Sequence, residues 1–87
     1  MFIVHNFTAT IHGAIYDFDF YEYKKNDMVI GETPDLDLAI ILPKDMHGHL
    51  RTYMIGAIKN YFDNMGVASV IRHVGTLAFE EQPRKTR

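Results

Sequence analysis

Two histidines and a carboxylate stand close together in the segment Asp45-Met46-His47-Gly48-His49. A His-x-His pair with a carboxylate offers three ligands of the kind that zinc and other divalent ions bind. Side chains two positions apart on a helix point in different directions, so joint binding requires Gly48 to keep the segment extended. We expect two solvated histidines instead and assign no metal ligand. A small metal-dependent enzyme is the third of three functional hypotheses.

The same segment precedes a helical pattern, which suggests a second chemistry. Backbone N–H groups at a helix N-terminus attract anions, and His47, His49 and Arg51 stand where they could contact a phosphate. No Gly-x-Gly-x-x-Gly or P-loop motif accompanies them. These three residues define the alternative hypothesis, an oligomer that binds a nucleotide or another phosphate compound.

Carboxylates and aromatic residues alternate along residues 16–23. On a strand, Asp17, Asp19, Tyr21 and Tyr23 share one face. Paired carboxylates perform acid–base catalysis when their environments separate their pKa values, and an exposed strand favours a solvated face instead. Because tyrosine is enriched at interfaces, these four residues are the expected partner-binding residues.

The charged residues are unevenly distributed. Residues 1–45 carry eight acids and three bases, a balance of −5, whereas residues 46–87 carry three acids and six bases, a balance of +3; the sum is the net charge of −2. We interpret the acids, Glu22 among them, as a solvated surface that could meet a partner. The small net charge argues against direct nucleic-acid binding.

Composition excludes several classes of protein. The chain has no cysteine and a single serine, Ser69, inside a predicted strand, so a disulfide framework, a cysteine-ligated metal and a nucleophilic triad are not expected. The longest apolar run, residues 38–42, is far shorter than the roughly 20 residues of a membrane-spanning helix. The first residues lack the pattern of a secretory signal. We therefore expect a cytoplasmic protein with no cofactor, no membrane contact and no enzymatic activity.

A two-residue turn, His12-Gly13, predicts a β-hairpin whose register explains its composition. Period-2 alternation sends one face to the core and the other to water. His5 falls on the core face and is expected to be a hydrogen-bonded core histidine. The core-facing pairs are Ile11 with Ala14, Ala9 with Tyr16, Phe7 with Phe18 and His5 with Phe20; the water-facing pairs are Thr10 with Ile15, Thr8 with Asp17 and Asn6 with Asp19.

The remaining pattern predicts three more strands and one helix, and hence a single α+β domain over residues 1–80 with a mobile basic tail over residues 81–87. The strands are expected at residues 28–30, 36–42 and 67–79. The strand at residues 36–42 is expected to be covered on both sides. In the last strand, Gly75 is expected to be a bend, a bulge or a break. The amphipathic helix is expected at residues 46–65, with Asp45 as N-cap, Gly66 as C′ glycine, and Tyr53 and Met65 on its core stripe.

This order, β-β-β-β-α-β, predicts an antiparallel-rich sheet with the helix on one face. The two strands that the helix links could be parallel neighbours joined by a right-handed crossover. The other face keeps apolar residues on the hairpin, which predicts self-association, with a dimer as the first expectation, or a protein partner. These residues are Phe2, Val4, Ile15, Tyr21 and Tyr23.

The small size, the lack of cysteine and the aromatic-rich acidic stretch Tyr16-Asp17-Phe18-Asp19-Phe20-Tyr21-Glu22-Tyr23 carry a resemblance. In these features the chain resembles the small orphan proteins that bacteriophages encode to block host enzymes or defence systems. The resemblance is one of style, rests on no motif and transfers no functional residue. It implies a non-enzymatic interaction protein that occupies the functional surface of a partner, and this is the first hypothesis.

Overall fold

A computed structural model of the chain describes residues 2–79. These residues form one α+β domain with the predicted element order β-β-β-β-α-β. The predicted tail, residues 81–87, lies outside the described residues. The strands are β1 (Phe2–Ile11), β2 (Ala14–Lys25), β3 (Met28–Thr33), β4 (Leu38–Pro43) and β5 (Val70–Phe79); a 3-10 helix (Lys44–His49) leads into α1 (Leu50–Asn64).

The strands form one antiparallel sheet in the order β4-β3-β2-β1-β5. The expectation that the two helix-linked strands are parallel neighbours is wrong, because β4 and β5 occupy opposite edges. The 15 residues of α1 span about 22 Å, comparable to the ~19 Å between the edge strands of a five-stranded sheet. The helix is therefore long enough to carry the chain from one edge to the other.

Two tight turns fix the register of the first three strands. His12 and Gly13 have φ values of 51° and 82°, and Asn26 and Asp27 have φ values of 52° and 63°. Positive φ at both central residues is the signature of the type I′ turn, whose twist matches that of a hairpin. Every strand pair predicted for the first hairpin is confirmed.

The core lies between the sheet and one face of α1. The helix buries Leu50, Met54, Ile58 and Phe62, which repeat every four residues and form one stripe. From the sheet, Phe7, Ala9, Phe20 and Val29 pack against this stripe. Tyr53 and Met65, predicted to join it, are instead 45% and 60% exposed.

The helix starts later than the pattern predicts. Residues 44–49 form the 3-10 helix, and α1 begins at Leu50 with His49 as an N-cap that makes no side-chain capping bond. Asp45 lies in the first turn of the 3-10 helix, so its predicted role as N-cap is wrong.

The predicted end of the helix is confirmed. Gly66 has φ 73°, its N–H donates to the carbonyl of Asp63, and the N–H of Val67 donates to the carbonyl of Phe62. These two bonds form the Schellman motif, in which a glycine takes the left-handed conformation at C′.

The two edge strands also refine the predictions. β4 is not covered on both sides, because it lies at an edge and Ile41 is 59% exposed. In β5 the register against β1 shifts between Asn6 and Phe7, opposite Gly75 and His73. The predicted irregularity at Gly75 is thus a β-bulge.

Candidate functional site

Glu22 is a buried carboxylate held between two histidines. Only 3% of the residue is exposed. His5 Nε2 lies 2.7 Å from one carboxylate oxygen, and His47 Nε2 lies 2.6 Å from the other. A buried charge is costly unless hydrogen bonds satisfy it, and here each oxygen has an N–H partner at a distance typical of charge-assisted bonds.

Three elements bring this cluster together. Glu22 lies on β2 two residues after the buried Phe20, and His5 on β1 is paired with Phe20. Alternation therefore turns both polar side chains toward the helix side of the sheet. The 3-10 helix supplies His47, whose side chain is 51% exposed, compared with 12% for His5.

The prediction that His5 is a hydrogen-bonded core histidine is confirmed. The interpretation of Glu22 as a solvated acid is wrong. The alternation that sends Phe18 and Phe20 inward places Glu22 on the same face, so the hairpin pattern already contained this signal.

The hydrogen bonds continue from His5 toward the β5 edge. Nδ1 of His5 lies 3.1 Å from the hydroxyl oxygen of Thr76, and that oxygen lies 2.9 Å from Nε2 of His73. The guanidinium of Arg51 lies 3.4 Å from Nδ1 of His73. The chain of contacts thus links α1 to the buried carboxylate.

One arrangement of protons satisfies every bond in this chain. An ionised Glu22 only accepts, so His5 donates from Nε2 and its Nδ1 accepts the single hydroxyl hydrogen of Thr76. The Thr76 oxygen then accepts from Nε2 of His73, and Nδ1 of His73 accepts from Arg51, which only donates. A second proton on His73 therefore places two donors, its Nδ1–H and the Arg51 guanidinium, against each other.

The electrostatic surroundings of His73 favour this arrangement. Burial lowers the pKa of His73 below its usual 6.5, and the positive charge of Arg51 and the proximity of His5 lower it further. A hydrogen bond with the backbone of Gly75 offsets part of this shift. These effects favour the neutral form of His73, which the hydrogen bond from Arg51 requires.

A cavity of about 310 Å³ adjoins the exposed end of the cluster. The residues that line it are Ile3, Glu22, Tyr23, Lys24 and His47. Tyr23 borders it from β2, with its side chain on the other face of the sheet. Within residues 2–79, Nδ1 of His47 has no hydrogen-bond partner, because the contact of this side chain with Glu22 uses Nε2.

The predicted phosphate-binding residues have separate contacts. His47 bonds Glu22, Arg51 bonds His73, and His49 is exposed without a side-chain hydrogen bond in the described part of the chain. No three histidine, aspartate or glutamate side chains among residues 2–79 are placed to hold a metal ion. In the 3-10 helix, Gly48 does not provide the extended conformation that joint ligation by His47 and His49 requires.

The predicted partner-binding residues lie together on the face of β2 opposite α1. Asp17 is exposed, and Asp19 accepts a hydrogen bond from the side-chain amide of Asn6 at 2.9 Å. The Tyr23 hydroxyl donates to Glu32 at 3.0 Å, and Tyr21 is paired with Glu32 across the strands. Burial raises the pKa of Tyr23 above its usual 10.0, and the hydrogen bond and negative charge of Glu32 raise it further.

None of the helices described within residues 2–79 has the length and apolar character needed to cross a membrane. Comparison of the chain with protein-family models, curated proteins and solved structures finds no significant match.

Proposed function

We propose that the protein is an interaction module that docks on a basic surface of a partner protein through the outer face of its sheet. The outer face is the side turned away from α1, and Asp17, Asp19, Tyr21 and Tyr23 form its centre. Occupying such a surface would block the partner's own function, as the resemblance to phage-encoded inhibitors implies.

The observation that supports this proposal is the one-sided cover of the sheet. The helix stripe packs on the face that carries Phe7, Phe20 and Val29. Within residues 2–79 no second helix or sheet lies over the opposite face. Large apolar side chains on that face remain open to solvent, with Ile41 59% and Leu77 66% exposed. Exposed apolar surface of this kind marks interaction sites.

The dimensions of the face suit a protein partner. Five strands about 4.8 Å apart, with about nine residues of 3.3 Å each, give an area of roughly 700 Å². A standard protein–protein interface buries about 800 Å² on each partner. One side of the sheet is therefore large enough for specific binding.

The charges favour a basic partner. Asp17 and Asp19 on β2 and Glu32 on β3 share the outer face, and the Asn6 and Tyr23 contacts hold two of these carboxylates in place. Side chains that are already ordered lose less entropy on binding. Complementary charge accelerates association and orients the partners.

A pair of charge reversals tests the docking surface. We expect D17K/D19K to abolish capture of the partner from extracts of the source organism, while D35K/D45K preserves it. Both double variants change the net charge by the same amount, and Asp35 and Asp45 are exposed outside the strands. Equal capture by D17K/D19K, or equal loss in both variants, contradicts the proposal.

Self-association is a separate part of the proposal and involves the β5 edge. Val70, Val74 and Leu77 are 58%, 61% and 66% exposed, and β5 has β1 as its one strand neighbour within residues 2–79. An apolar edge strand is a template for pairing with another chain. We propose that two copies pair through this edge and leave the acidic centre of the outer face open.

Native mass spectrometry and light scattering test the dimer. We expect a dimer for the wild type and a monomer for Leu77→Lys. Ile41→Lys is the matched control, because Ile41 is 59% exposed on β4, at the opposite edge of the sheet. A wild-type monomer, or a dimer that survives Leu77→Lys, contradicts this arrangement.

A further inference from the structure

We propose that the cavity beside His47 is an acid–base site that hydrolyses small neutral carboxylic esters, with His47 as general base and Glu22 as its positioning residue. This activity is additional to partner binding and does not depend on it. Attack by water under general-base catalysis requires no serine or cysteine, so the lack of a nucleophilic triad does not oppose it.

The geometry fixes both the tautomer and the orientation of His47. Its Nε2 lies 2.6 Å from a buried carboxylate oxygen, so a neutral ring carries its proton on Nε2 and leaves a lone pair on Nδ1. The ring is 51% exposed and lines the cavity. A base that a carboxylate orients in this way is the recurring arrangement of acyl-transfer sites.

The second histidine makes the positioning rigid. His5 holds the other oxygen of Glu22 at 2.7 Å and is itself held by Thr76 at 3.1 Å. The carboxylate therefore cannot rotate away from His47 without breaking a buried hydrogen bond. Its negative charge stabilises the imidazolium that forms when His47 takes a proton.

The cavity lining indicates the class of substrate. Glu22 contributes one negative charge and Lys24 one positive charge, and Ile3 adds apolar surface. An anionic phosphodiester would meet a buried carboxylate with a single cation to compensate for it, whereas a neutral ester meets no such repulsion. The volume of about 310 Å³ is at the small end of the range for ligand pockets.

The proposed step balances without a co-reactant other than water. Nδ1 of His47 takes a proton from water as the water oxygen bonds to the ester carbonyl carbon. Lys24 lies on the cavity wall, where its ammonium can stabilise the oxyanion. When the intermediate collapses, the bond to the alcohol oxygen breaks, and the proton on Nδ1 passes to that oxygen.

Hydrolysis of p-nitrophenyl acetate by the full chain tests the site. We expect His47→Ala to lower the second-order rate constant by at least about tenfold, since positioned acid–base groups contribute 10²–10⁴-fold. His49→Ala is the matched control, because His49 is exposed in the same 3-10 helix without a hydrogen-bonded carboxylate in the described part of the chain. Equal rates for the wild type and both variants, or equal losses in both, overturn the proposal.

The role of Glu22 requires a readout other than the rate. In a folded Glu22→Gln we expect His47 to lose its fixed tautomer, because the amide can present either its oxygen or its NH₂ group to the ring. Nitrogen-15 NMR of the wild type provides a test even if this variant fails to fold. Neutral His47 should carry its proton on Nε2, whereas His49 should populate both tautomers. An Nδ1-protonated His47 in the wild type, or an unchanged tautomer of His47 in a folded Glu22→Gln, overturns the assignment.

Discussion

Glu22 and His5 lie 17 residues apart in sequence, and their side chains meet at 2.7 Å on the buried face of the hairpin. The two strands that carry them are paired so that His5 is opposite Phe20, which places the imidazole diagonally beside the carboxylate. A polar pair thus occupies a position that alternation assigns to core side chains. The pair remains buried because the 3-10 helix supplies His47 as the second donor.

This relationship predicts that Glu22→Gln destabilises the fold. The amide keeps one acceptor oxygen but presents an NH₂ donor to one of the two imidazole N–H groups, so a buried hydrogen bond is lost. We expect a loss of about 1–3 kcal/mol in the free energy of unfolding, the usual cost of an unsatisfied buried polar group. Denaturant unfolding at neutral pH measures it.

Glu32→Gln is the control for this change. Glu32 is exposed, and its side chain bonds the Tyr23 hydroxyl on the outer face, so the same substitution should alter stability by at most about 0.5 kcal/mol. Equal destabilisation by the two variants would show that the hydrogen bonds from His5 and His47 to Glu22 add no stability beyond that of an exposed carboxylate.

Local signals in the sequence predict most of the fold. The His12-Gly13 turn sets the register of the first hairpin, and Gly66 ends the helix, because both features depend on neighbouring residues alone. The strand order is not local. Whether β5 pairs with β1 or lies beside β4 depends on how far across the sheet α1 carries the chain. The hydrophobic periodicity of the sequence does not indicate which edge the chain reaches.

The candidate site is only partly predictable for the same reason. Alternation places His5 and Glu22 on the inner face, so their proximity follows from the hairpin register. The arrival of His47 depends on residues 44–49 forming a 3-10 helix rather than the start of α1. The link from Thr76 to His73 depends on the β-bulge that shifts the end of β5.

Stability should fall with pH below 6.5 in part because of His73. Its pKa is lowered in the folded state, chiefly by burial, so between that value and 6.5 the unfolded chain binds more protons. The contribution of His73 is fully present above 6.5 and is lost as the pH falls through the lowered pKa. When the pH is lowered from 7.5 by about one to two units, the free energy of unfolding should fall less in His73→Gln than in the wild type. The same drop in both proteins would exclude His73 as a source of the acid sensitivity.

Two glycines should respond differently to alanine. At Gly56 a new Cβ meets nothing within 4 Å, and helix propensity alone should stabilise Gly56→Ala by about 0.8–1.0 kcal/mol. At Gly31 a Cβ would lie 2.8 Å from the methyl carbon of Met54, which is fully buried. Overpacking then cancels the entropic gain from alanine, and Gly31→Ala should show no stabilisation. Thermal unfolding of the two variants compares them directly, and a stabilised Gly31→Ala would mean that the terminal methyl of Met54 can move aside within the core.

Tyr23 should be among the last tyrosines to ionise as the pH rises. Burial raises its pKa above 10.0. The carboxylate of Glu32, which accepts a hydrogen bond from the hydroxyl, opposes a second negative charge beside it and raises the pKa further. The stability that this bond contributes is present below 10.0 and is lost as the pH rises through the raised pKa. An ultraviolet titration of tyrosinate should lose its highest-pH component in Tyr23→Phe, and the component should move to lower pH in Glu32→Gln. Tyr61→Phe is the control, because Tyr61 lies on α1 beside Phe62, away from Glu32. If Tyr61→Phe removes the same component, the contact with Glu32 does not determine which tyrosine ionises last.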